Sequence, residues 1–161
     1  MLEPEVIERI RTIFLHQRPH VIIAEATVLL GWTRREMTEA IRVGEVEVTK
    51  TAIDEWMWRE ELMAKALEIW SLETIEEALG VDAERALPPS IRLADLHVRV
   101  PRYHVAMLKL MAERDRTTVN TVLARELDEL ASENADDLSA SIAGFDAALE
   151  WPDVDSAQLP C

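Results

Sequence analysis

Cysteine is nearly missing from this chain, and its scarcity removes whole classes of function. Among 161 residues the single cysteine is Cys161. That excludes an intrachain disulfide framework and a cysteine-based zinc site, and it fits a reducing cytoplasm. Glycine is scarce too, and the four present build no Gly-rich phosphate loop. Aromatic residues are few, and five Trp make up most of them. No apolar run approaches the ~20 residues needed to cross a bilayer. Glu3, Glu5 and Glu8 stand where a signal peptide would need positive charge and then an apolar stretch. His97 and His104 have no Ser or Cys nucleophile pattern nearby. His16 and His20 have a spacing that could hold a metal on one helix face, but Pro19 lies between them and no third ligand is near. We therefore expect no enzyme, no metal, no cofactor and no membrane span.

Positive charge is also in short supply. The net charge is −14, which weighs against binding a polyanion, because phosphate contacts need Lys and Arg. Its distribution matters more than its sum. Residues 94–132 carry six basic and six acidic side chains, whereas residues 133–161 carry seven acidic and none basic. Residues 1–60 carry eight basic against eleven acidic. The excess acid is concentrated at the C-terminal end and in the middle of the chain.

What is present is helical periodicity. Val6, Ile7, Ile10, Ile13 and Phe14 keep the spacing of an amphipathic helix from Pro4 to His16, with Glu5, Glu8, Arg9 and Arg11 facing away. A short helix should end at Gly31. Thr33 and Glu36 have the spacing of a capping box that opens the next one. Thr51 and Asp54 repeat that pattern and predict a long helix through Trp56, Met57, Met63, Ala66, Leu67 and Trp70. Ser71 caps a fresh start or lies within a continuous helix, and Gly80 ends it. Asp82 to Leu87 could add one more helical turn. Leu87-Pro88-Pro89-Ser90 reads as a semi-rigid spacer.

Leu96-His97-Val98-Arg99-Val100 alternates apolar and polar residues, as a strand with one buried face would. Pro101 should stop that strand and begin a helix. Few other strand candidates exist in the chain, so the economical partner is a second copy pairing antiparallel across a two-fold axis. From Val100-Pro101-Arg102 through Arg116-Thr117-Thr118-Val119-Asn120-Thr121-Val122-Leu123 the chain resembles the ribbon-helix-helix repressors of the Arc/MetJ type. The apolar set Val105, Leu108, Met111, Val119, Leu123, Leu127 and Leu130 fits that family. The resemblance covers about a quarter of the chain. It implies a two-stranded ribbon in the major groove of DNA, with Asp95, His97 and Arg99 facing base edges. It also implies that Thr118, Val119 and Asn120 clamp a phosphate at the start of the second helix. The family often has Gly between the helices, where Asp115-Arg116 stands; a non-Gly residue held at positive φ there would cost about 1 kcal/mol. His104 replaces an apolar residue on the first helix's inner face. An interaction-only helical dimer is the alternative.

The run from Ile23 through Gly31, Trp32 and Thr33 to Gly44 resembles the helix-turn-helix of MerR-type and excisionase-type DNA-binding domains. Ala26, Leu30, Trp32, Met37 and Ile41 supply its apolar lock. The resemblance implies that the helix opening at Thr33 enters a groove and brings Arg34, Arg35, Thr38 and Arg42 near DNA, with a wing at Glu45-Val46-Glu47-Val48. That wing carries two acids, and Glu36 and Glu39 lie on the same helix. A structural or partner-binding role is the other reading of this unit.

The acidic segment beyond Ser132 carries scattered large apolar residues. Ile142, Phe145 and Leu149 would share one face of a helix from Ser139 to Leu149, with Trp151, Val154 and Leu159 beyond. It resembles the toxin-binding tails of bacterial antitoxins, which implies that Ile142, Phe145, Leu149 and Trp151 contact a toxin or other basic protein and order on binding it. A solvated tail, or one that packs back on its own molecule, is the bland reading. The expected fold is mainly α. Residues 1–87 form a helix-turn-helix domain with a long helix, 88–93 a linker, 94–132 a ribbon-helix-helix and 133–161 an acidic tail. The expected function is a homodimeric, sequence-specific repressor of transcription that binds double-stranded DNA. The alternative is an antitoxin or adaptor that binds a basic partner and regulates its own DNA site.

Overall fold

A computed structural model describes residues 2–153 of the chain. The protein is mainly helical, with one small three-stranded sheet. Helix α1 (Pro4–Leu15) starts on a proline, whose missing N–H is no loss in a first turn, and buries Ile10, Ile13 and Phe14. Strand β1 (His20–Ile22) follows, then α2 (Ile23–Leu30) and α3 (Arg34–Val43). Strands β2 (Thr49–Lys50) and β3 (Glu55–Trp58) complete an antiparallel sheet of order β1-β3-β2, with Val21 opposite Met57 and Thr49 opposite Trp56. Helices α4 (Arg59–Ile69) and α5 (Leu72–Leu79) come next. A 3-10 turn (Gly80–Asp82) and α6 (Ala83–Ala86) end this half.

The Thr51–Asp54 pair corrects the expected long helix. Thr51 Oγ1 does accept from the Asp54 N–H, at 3.1 Å, but the Thr51 N–H also donates to the Asp54 carbonyl at 2.9 Å. The pair closes a hairpin turn between β2 and β3. Trp56 and Trp58 then alternate with the fully buried Met57, a period-2 pattern that a sheet satisfies once β1 offers a partner edge. Helix starts only at Arg59. The acidic stretch Glu45–Val48 is not the hairpin itself; Val46 turns into the core there.

One core serves this half. It joins Ile10, Ile13 and Phe14 to Met37, Met57, Leu62, Ile75 and Leu79, and among the described residues no polar or charged residue is buried. Arg11 was expected to face away. Instead its guanidinium donates to the Leu79 carbonyl (3.0 Å) and to Asp82 (2.6 Å), satisfying the free C-terminal end of α5. Leu87 is also in the core, so the spacer begins at Pro88.

The second half is thinner. Residues 93–101 adopt neither helix nor strand. Helix α7 (Arg102–Asp115) begins after Pro101, which occupies the cap position rather than the first turn, and α8 (Val119–Glu133) packs on it. Arg116 joins them in the left-handed region at φ 54°, the conformation a Gly would take without strain. The expected single helix from Ser139 to Leu149 is broken. α9 (Ala135–Ser141) stops, Gly144 takes φ 75°, and α10 (Phe145–Glu150) restarts. Trp151 then drops into the N-terminal core, its ring stacked on Phe14 with centroids 6.5 Å apart. Val154 and Leu159 lie outside the described residues.

Candidate nucleic-acid interface

The link between α2 and α3 is built by local chemistry. Gly31 ends α2 at φ 71°, and its N–H donates to the last carbonyls of that helix. Thr33 caps α3 through the N–H of Glu36, while the Glu36 carboxylate accepts from the Thr33 N–H at 2.6 Å. That backbone N–H, then the Thr33 hydroxyl, hold the Glu36 carboxyl below its ordinary pKa. Met37 and Ala40 face the core, so the opposite side of α3 faces solvent. Arg34, Arg35, Thr38 and Arg42 are all on that exposed side.

Their freedom differs. Arg42 grips Glu39 with two hydrogen bonds, at 2.8 and 2.6 Å, which lowers the pKa of Glu39 and raises that of Arg42. Thr38 donates back to the Arg34 carbonyl. Among the described residues Arg34 and Arg35 have no ionic partner. The β2–β3 turn presents Lys50, paired with Glu55 at 2.8 Å, and an exposed Ile53.

The segment before α7 is open on both sides. Asp95, His97 and Arg99 are exposed, as expected. So are their neighbours: Leu96 is 72 % exposed, Val98 58 % and Val100 44 %. The alternating apolar residues therefore find no interior within the single chain. The segment is tethered at its start, where the Leu93 N–H donates to Glu76 at 2.7 Å.

The start of α8 is capped as its sequence suggests, with Thr118 Oγ1 accepting from the Thr121 N–H at 3.1 Å. Val119 is half-buried and Asn120 exposed. The same Thr118 hydroxyl donates to the Glu73 carboxylate at 3.0 Å. An acid of α5 thus stands beside the helix end where the family resemblance puts a phosphate. Of the tail residues, Ile142 and Leu149 are exposed and Phe145 is half-buried. Trp151 is buried in the core and departs from the expected contact set.

Two features escaped sequence reading. His20, Trp56 and Trp58 cluster on one sheet face, with the His20 and Trp56 ring centroids 4.0 Å apart, because β1 and β3 pair across a long stretch of chain. A groove also opens between α5, α8 and α10, which only the return of Trp151 to the core could have signalled. Among the described residues no group of three or more His, Cys, Asp or Glu side chains could hold a metal ion. Among them, too, no helix is long and apolar enough to cross a membrane. No protein-family model matches the chain, and comparison with curated proteins and with solved structures found no similar one.

Proposed function

We propose that this protein is a homodimeric, sequence-specific DNA-binding regulator that acts as a repressor. One observation carries the reading. By itself the unit from Ala94 to Ser132 buries only Ala112 and Val122, while Leu96, Val98, Val100, Val105 and Leu130 stay exposed. Two helices with so small a core need another apolar surface to be stable. A second copy supplies it if the two Leu96–Val100 segments zip into an antiparallel ribbon. Each strand then gains a hydrogen-bonded neighbour, and Leu96, Val98 and Val100 turn onto the joined helices. Asp95, His97 and Arg99 fall on the opposite face, two sets related by symmetry. Arg99 is the base reader, because its planar fork donates two hydrogen bonds to a guanine edge.

The N-terminal half adds a second contact in this reading. α2 and α3 act as a helix-turn-helix, with the β2–β3 hairpin as its wing. Arg34 and Arg35, the cations of α3 without an ionic partner, face the flanking phosphates. With a net charge of −14, affinity rests on few phosphate contacts, so its salt dependence is shallow. Glu73 must leave Thr118 before a phosphate takes that place.

Selection from random duplex DNA, at low and physiological salt, tests the proposal. A pseudo-palindromic site is the expected product. Arg99→Ala should weaken binding to it by ~1–3 kcal/mol and relax the preference at one base pair in each half-site. Recovery of no preferred sequence, or an Arg99→Ala variant with unchanged affinity and selectivity, would remove the ribbon from this role.

A further inference from the structure

The groove between the two halves of the molecule is wide and unevenly charged. Leu72 of α5, Leu123 and Leu127 of α8 and Leu149 of α10 line it, with Leu67 and Ile91. Four carboxylates also line it, from Glu73, Glu76, Asp95 and Asp128, against the one guanidinium of Arg125. Arg125 is already committed, at 3.2 Å from Asp115 and 3.7 Å from Glu126. The volume is about 1080 Å³, beyond the usual ~300–1,000 Å³ of a small-molecule pocket. It equals roughly two turns of a helix with its side chains, for a cylinder ~11 Å across rising ~5.4 Å per turn.

From this geometry we infer that the groove seats an amphipathic, cationic helix of a protein partner. The leucines meet the apolar stripe of the incoming helix, and its Lys or Arg side chains meet the carboxylates at the rim. An acidic helix would bring like charges together at four places. Asp128 adds support: it lines the groove, partial burial raises its pKa, and it has no cation of its own among the described residues. An arriving ammonium or guanidinium relieves that condition. This surface is distinct from the free acidic tail expected from sequence, because α10 forms one wall of the groove and Trp151 anchors that wall to the core. The inference does not depend on DNA binding. It does share Leu96 and Leu127 with the apolar surface that a second copy would approach, so the test includes the oligomeric state.

The full chain is titrated into a fluorescent amphipathic Leu/Lys peptide of about five helical turns, and anisotropy is read. The Leu/Glu peptide of the same pattern is the control. We expect the Leu/Lys peptide to bind and the Leu/Glu peptide not to. Asp128→Lys, inside the groove, should weaken binding about tenfold or more. Glu113→Lys makes the same charge change on an exposed part of α7 outside the groove and should leave affinity within about twofold. Equal losses in the two variants would reveal mere attraction to net charge and overturn the inference. So would no binding of the Leu/Lys peptide by the wild-type chain. If that chain is dimeric in sedimentation and Leu127→Arg makes it monomeric while neither form takes the peptide, the occupant is a second copy and the inference also fails.

Discussion

Replacing Trp151 by Ala should detach the C-terminal segment while leaving the N-terminal core folded. The indole is 9 % exposed and stacks on Phe14. Burying most of a Trp side chain removes roughly 200 Å² from water. At ~25 cal/mol per Å² that is ~5 kcal/mol, an upper bound because unfolded chains already bury some apolar surface. Aromatic-to-Ala changes in cores cost ~3–5 kcal/mol when the neighbours cannot move away. Here they can, since in this segment only Trp151, Ala147 and Ala148 join the N-terminal core and α10 otherwise packs on α9. The global loss is therefore capped at the free energy of docking, and ~2–3 kcal/mol in urea unfolding is expected. Amides of residues 145–150 should lose most of their exchange protection, while those of α1 and α4 keep theirs. Trp151→Phe should fall between the two. Stability within ~0.5 kcal/mol of wild type, with protection in α10 unchanged, would refute the packing described.

Arg116→Gly should stabilise the α7–α8 unit by ~1 kcal/mol, because it removes the strain of an L side chain at φ 54°; Arg116→Ala should not, and thermal unfolding of the two variants separates strain from side-chain loss. Thr33→Ala should cost ~1 kcal/mol by removing the cap of α3, read as a lower urea midpoint. The folded pKa of Glu36 is depressed below 4.5, so its contribution is present above that pH and is lost as pH falls through the depressed value. Glu36→Gln should make the helix less sensitive to acid over that window, measured by circular dichroism against pH. Gly31→Ala places a Cβ 2.6 Å from an Arg9 guanidinium nitrogen. That tip is flexible and moves aside, so the ~1–2 kcal/mol of left-handed strain should dominate the loss on thermal melting.

Local signals carried the N-terminal half well. Gly31, Thr33 with Glu36, and Ser71 with Gly80 each mark a boundary that a few neighbouring residues decide. Long-range pairing did not show. Thr51 and Asp54 suit a helix start and a hairpin turn equally, and the choice was made by β1, far back in the chain. Leu87 and Trp151 looked like spacer and tail because nothing nearby in sequence reveals the core that receives them. At Leu96–Val100 the alternation is plain in the residues, but in the single chain the segment is neither a strand nor buried on one face. The guanidinium groups of α3 were legible as positions, but the capture of Arg42 by Glu39 was not. Nor was the carboxylate of Glu73 at the start of α8, since α5 and α8 meet only in the fold.

Sedimentation equilibrium of the full chain beside Val98→Asp puts the pairing of Leu96–Val100 to the most direct test. Val98 is more than half exposed in the single chain, so the substitution leaves the monomer intact, and an unchanged helical signal in circular dichroism verifies that. The wild-type chain should sediment at twice its own mass and Val98→Asp at its own mass. A wild-type monomer at tens of micromolar, or a Val98→Asp dimer as tight as wild type, would contradict the ribbon and the groove reader built on it.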